Sequence, residues 1–127
     1  MKAMFIFYVA DQASTKNFYE KVLALKPTLN VPGMTKFVLL DGSQIGFMPG
    51  LGMKNMLGDK FPDPAQAAGI PRAEIYLVVN DPLSYHQRAL EAGALEIQSL
   101  QEMPWGDTVA YSLDPDGHVL AFAKGGE

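Results

Sequence analysis

The sequence predicts an α+β fold made of two tandem βαβββ modules. Three observations carry this. The chain has 127 residues, enough for one hydrophobic core and too few for two independent domains. A strand-like run, MFIFYVAD at Met4–Asp11, returns 70 residues later as EIYLVVND at Glu74–Asp81. Further along, TKFVLLD at Thr35–Asp41 and TVAYSLD at Thr108–Asp114 both enter tight turns, followed by QIGF at Gln44–Phe47 and VLAF at Val119–Phe122. With Ala24-Leu25 matching Ala94-Leu95 at the first offset, four matched fragments in one order define an internal repeat.

Each copy opens with a strand, expected over about residues 3–10 and 73–79, closed by an Asp. In the first copy Phe18, Tyr19, Val22 and Leu23 share one face of a helix that Asp11 or Ser14 can cap. In the second, Asp81-Pro82 is a stronger start: the Asp accepts from orphan N–H groups and Pro has none to satisfy. Ala89, Leu90 and Ala92 continue that helix and Gly93 ends it. The last hairpin turns at Asp114-Pro115-Asp116-Gly117, where Pro presets φ and Gly accepts a positive one. The expected organisation is a single domain over 1–127, with modules at 1–48 and 73–124. Residues 49–72, rich in Gly and Pro, are expected to form a long linker crossing the outside, with one helical turn as an option and their conformation otherwise open.

Composition excludes several functions. Ten basic and 14 acidic residues give a net charge of −4, which argues against nucleic-acid binding. There is no Cys, so disulfides, thiolate metal sites and thiol catalysis are out. No apolar run is long enough to span a membrane. The N-terminus reads as a first strand rather than a leader, and a cytoplasmic protein is expected. The serines, Ser112 among them, show no His-acid partner set, so no nucleophilic triad is read.

Strand alternation sorts side chains by face. Phe5, Phe7 and Val9, with Ile75, Leu77 and Val79, are expected to pack on the helices. Met4, Ile6 and Tyr8, with Glu74, Tyr76 and Val78, face the other way, as do Gly46 and Ala121 by parity. Met48 shares the parity of Gly46.

These features resemble the vicinal oxygen chelate superfamily, which includes glyoxalase I, extradiol dioxygenases and bleomycin-resistance proteins. The residues that carry the resemblance are Tyr8-Val9-Ala10-Asp11, Phe18-Tyr19-Glu20-Lys21-Val22-Leu23, Trp105-Gly106 and Asp114-Pro115-Asp116-Gly117-His118. It implies the glyoxalase/bleomycin resistance fold, whose strands curl into an open, barrel-like cup that holds the ligand. It also implies a homodimer, with cups formed within one chain or shared between chains.

Metalloenzymes of this family draw ligands from positions matching Met4, Gly46, Glu74 and Ala121. Only Glu74 is a competent hard-metal ligand, and a divalent site wants about three. No family-type metal and no other cofactor are therefore expected. His118 is read as a hairpin-end residue bonded to its turn. His86 is read as a solvated or cap-adjacent residue on the helix of the second copy, away from the cup.

Glu74 has two readings: a strand-end carboxylate pairing in solvent with Arg72, or an inward group acting as a base or as an anchor for a cationic ligand. Trp105 is either edge packing or a flat stacking surface. The favoured function is binding of a small hydrophobic or aromatic molecule in the cup, lined by Met4, Tyr8, Gly46, Met48, Glu74, Tyr76, Trp105 and Ala121. The alternative is a lyase, isomerase or dioxygenase-type enzyme, with Glu74 as catalytic base or with a metal site not visible in the sequence.

Overall fold

A computed structural model describes residues 1–126. The chain divides into two compact units, one of Met1–Glu20 with Ala24–Ala68, the other of Lys21–Leu23 with the chain from Gly69 on.

In the first repeat the elements are β1 (Met4–Val9), α1 (Gln12–Leu23), β2 (Leu29–Val31), β3 (Met34–Val38) and β4 (Gln44–Pro49). They form a four-stranded sheet in the order β1-β4-β3-β2, with β1 and β4 parallel and the other pairs antiparallel. Asp11 caps α1, its carboxylate accepting from Ser14 N at 3.1 Å. Tyr19 stacks on Phe47 at 4.4 Å between centroids, and Phe37 meets Phe47 edge-on. These rings, with Phe18, Val9 and Ile45, are the buried core of this unit. Phe5 departs from the expected row: it is 65 % exposed while Val9 is 3 % exposed, so only the far end of β1 is covered.

The second repeat has β5 (Glu74–Val78), α3 (Pro82–Glu91), β6 (Leu95–Glu102), β7 (Thr108–Leu113) and β8 (Val119–Lys124). Its sheet runs β5-β8-β7-β6, again with one parallel pair, β5 with β8. Asp81 caps α3 through Ser84 N at 3.3 Å, with Pro82 in the first turn. Leu120 and Phe122 face α3, where Tyr85 lies 5.6 Å from the Phe122 ring.

Two expectations need correction. His86 is not solvated: it is 2 % exposed, and its Nε2 meets Glu96 Oε2 at 2.8 Å. The helix turns it onto the sheet, where Glu96 on β6 supplies the partner that a buried imidazole needs. Residues 49–72 are also more ordered than one helical turn. They contain α2 (Gly50–Leu57) and two short 3-10 turns, Gly58–Lys60 and Pro64–Ala67. Lys54 Nζ staples the turn region by donating to the carbonyls of Gly58 (3.1 Å) and Phe61 (2.6 Å). None of the described helices is long and apolar enough to cross a membrane.

The Asp114–Gly117 turn has the predicted chemistry. Asp114 Oδ1 accepts from the backbone N–H groups of Asp116 and His118, each at 2.9 Å. Gly117 has φ +89°, and a Cβ there would sit 2.8 Å from the Gly69 backbone. Gly69 in turn donates to the Asp116 carbonyl at 3.3 Å. Gly42, the matching turn glycine of the first repeat, has φ +90° but open space around it. Gly42→Ala should therefore cost only the backbone strain, about 1 kcal/mol. Gly117→Ala should cost clearly more, about 3 kcal/mol, because strain and collision add. Urea denaturation of the two variants checks the difference; equal losses would mean that the Gly69 contact gives way freely.

Candidate functional site

The register of the second sheet builds a chemically distinct face. Tyr76 on β5 pairs with Ala121 on β8, and Ala121 pairs with Tyr111 on β7. One row further, Val78, Ala123 and Val109 align. Paired residues share a face, so Glu74, Tyr76 and Tyr111 lie opposite the α3 side. Ala121, Ala123 and Val109 are each 0 % exposed and form a floor, with Tyr111 and Met103 packed against it.

Trp105 lies in the turn between β6 and β7, where Gly106 (φ +100°) and the Gly106 N to Met103 O bond at 2.9 Å reverse the chain. Its indole Nε1 donates to Tyr76 Oη at 3.0 Å, and Tyr76 Oη donates to Asp107 Oδ2 at 2.5 Å. A single chain of bonds thus ties the exposed Trp105 to the sheet. Loss of solvent around the Tyr76 hydroxyl, then the Asp107 hydrogen bond, push that phenol above its ordinary value of 10.0. Tyr111 is raised too, first by desolvation, then by the charges of Glu74 and Asp107.

The structure therefore brings Glu74, Tyr76, Trp105 and Ala121 onto one sheet. Ala121 serves as floor, not lining. Glu74 has no ion pair with Arg72 among the described residues. Tyr111 and Asp107 were not singled out in the sequence. Strand parity with Ala121 was the available signal for Tyr111. Nothing local flagged Asp107 beyond its place beside Trp105-Gly106.

The remaining candidates lie on the first sheet. Ile6 pairs with Gly46, and Tyr8 with Met48. A Cβ at Gly46 would meet Met34 Sδ at 3.1 Å, and Ile6 Cγ1 and Met4 Sδ at 3.4 Å each. Thioethers thus roof the glycine. Tyr8 meets Phe61 edge-on at 5.8 Å, so the segment after α2 covers that end of the face.

The positions matching family metal ligands do not fit a hard divalent ion. Gly46 and Ala121 bring no donor atom, Met4 brings a soft sulfur, and Glu74 alone is a carboxylate. Among the described residues, no three His, Asp or Glu side chains gather in a metal-binding group. His86 and Glu96 lie near Ser112, the register partner of Glu96. Ser112 Oγ and His86 Nδ1 have no hydrogen-bond partner, and both residues are buried on the helix side of the sheet. A substrate has no path to that serine, so the set is structural.

Raised phenols bind their protons more tightly in the folded state, so their contribution to stability is complete below pH 10.0 and is lost as pH rises through the folded-state values. Alkaline titration at 295 nm should show two tyrosines ionising late. Tyrosinate quenches indole, so Trp105 emission should fall with the Tyr76 step. Asp107→Asn should move that step to lower pH. An unmoved step would detach Asp107 from Tyr76 in solution.

Comparison with known proteins follows the same lines. A sequence model of the Glyoxalase/Bleomycin resistance protein/Dioxygenase superfamily matches residues 3–122. Uncharacterized proteins of Mycobacterium bovis and Mycobacterium tuberculosis H37Rv are 34 % identical over 113 residues, 87 % of this chain and 74 % and 66 % of theirs. A glyoxalase-related enzyme from Fulvimarina pelagi superposes with a TM-score of 0.80 at 17 % identity, over 98 % of this chain and 87 % of that one. A glyoxalase/bleomycin resistance protein/dioxygenase from Nocardioides gives 0.80 at 14 % identity, over 100 % and 84 %. At these identities the structural likeness speaks for the fold, and the sequence match for kinship: the chain belongs to the glyoxalase/bleomycin resistance protein/dioxygenase superfamily.

Proposed function

We propose that this chain is a ligand-binding member of its superfamily that takes a small aromatic or hydrophobic molecule without help from a family-type metal. The observation that carries this reading is Trp105. It is 56 % exposed, yet held in place by Tyr76 and Asp107. Packing alone gives an exposed indole no reason for such anchoring, whereas a fixed flat ring is what a planar ligand stacks on. Tyr76 and Tyr111 extend the aromatic surface, and Glu74 meets the polar end of the molecule. The first sheet, taken by itself, carries Met4 and Met48 beside Gly46 and Tyr8, an adaptable apolar surface of its own.

Trp105 is the only tryptophan, so a planar aromatic ligand should quench the emission saturably. Trp105→Ala, followed by calorimetry, should weaken binding by about 1–3 kcal/mol. A Trp105→Ala chain that fails to fold would assign the indole to packing. Unchanged affinity in a folded variant would move the site elsewhere.

We propose further that the chain pairs with a second copy. Phe5 on edge strand β1 and Val78 on edge strand β5 are 65 % and 72 % exposed, and apolar sheet edges left open to water invite pairing. Sedimentation at tens of micromolar, a rough working range for weak association, should show dimers; a monomer at that concentration would end this proposal.

A further inference from the structure

The open face of the second sheet has a one-sided charge. Its carboxylates are Glu74, at the start of β5, and Asp107, just before β7. Neither has an ion-pair partner among the described residues. The four strands of that sheet carry one basic residue, Lys124. Lys124 pairs with Thr108, one residue out of step with the Ala123–Val109 pair, so it falls on the α3 side. No strand of the sheet therefore offers a cation on the open face. The matching face of the first sheet is the reverse: Lys36 pairs with Gly46 there, and β1, β3 and β4 carry no acidic residue.

The rings on the open face add to the same sign. Tyr76 and Trp105 are 37 % and 56 % exposed, and Tyr111 is half-buried between the two carboxylates. Ring faces are electronegative and attract cations, most strongly alkylated ammonium groups that are cheap to desolvate. Two carboxylates without counter-ions add a coulombic pull. The raised phenol of Tyr111, which feels both Glu74 and Asp107, agrees that these charges bear on one spot. An anionic ligand would meet the same arrangement as repulsion.

Resting on the aromatic-platform reading above, we infer that the ligand of this face is an organic cation, an alkylated ammonium or amine seated against Tyr76, Tyr111 and Trp105 between Glu74 and Asp107.

The test uses choline and its uncharged carbon isostere 3,3-dimethylbutan-1-ol, titrated into the intact chain with Trp105 emission as the signal. Choline should bind about tenfold more tightly, the order of a cation–aromatic contact with partial desolvation. Raising the salt should erode that preference. Glu74→Gln, at an exposed residue without an ion pair among the described residues, should fold normally and cut the preference for choline over the isostere several-fold. Equal binding of the two probes would overturn the cation inference and leave the aromatic platform standing. A preference that survives Glu74→Gln and Asp107→Asn undiminished would overturn it as well. If neither probe nor any planar aromatic perturbs Trp105, the platform itself is lost.

Discussion

The parallel pairing of the first and last strand in each repeat governs what the rest of the structure does. Parallel neighbours cannot be joined by a hairpin and need a crossover; here a helix and two further strands lie between β1 and β4, and between β5 and β8. This yields the order 1-4-3-2 and places the last strand inside the sheet. β8 is then flanked on both sides, and Leu120 through Ala123 are all 0 % exposed. A doubly flanked strand under an aromatic face has room only for small residues on that face, which Ala121 and Ala123 supply. The large side chains move to the neighbours: Tyr76 on β5 and Tyr111 on β7.

From there the site follows by hydrogen bonding. Tyr76 reaches from β5 to the β6–β7 turn and uses its hydroxyl twice, as donor to Asp107 and as acceptor from Trp105. Each bond alone would contribute about 1 kcal/mol or a little more. Joined, they give a solvent-facing indole a defined orientation. The face therefore gains its rigidity from polar groups at the rim, while its floor is plain hydrophobic packing.

Much of this was legible in the sequence. The repeat is written in residues that cannot easily be exchanged, an Asp at each helix start and a Gly in each hairpin. Parity correctly sent Glu74 and Tyr76 to the open face, because period-two alternation survives wherever one side of a sheet is covered. Other features depended on contacts between distant residues. Asp107 looks like any turn acid until Tyr76 reaches it from 31 positions away. His86 sits in a polar stretch of α3, and only the placement of Glu96 on β6 explains why it is inside. The order in residues 50–67 was hidden because Gly and Pro there serve caps and short 3-10 turns as well as loops.

The two repeats share a fold and have parted in chemistry: thioethers and a lysine over Gly46 on one sheet, carboxylates and phenols around Ala121 on the other. Two identical half-length chains, associating as a pair, would be bound to carry the same surface twice, since every mutation would appear in both. Covalent duplication removes that constraint. Once both copies lie on one polypeptide, each can change alone, so Met4 can open the first strand of one copy while Glu74 opens that of the other. The twofold repetition of this chain is thus plain in its backbone, and the departure from it lies in the side chains of the open faces.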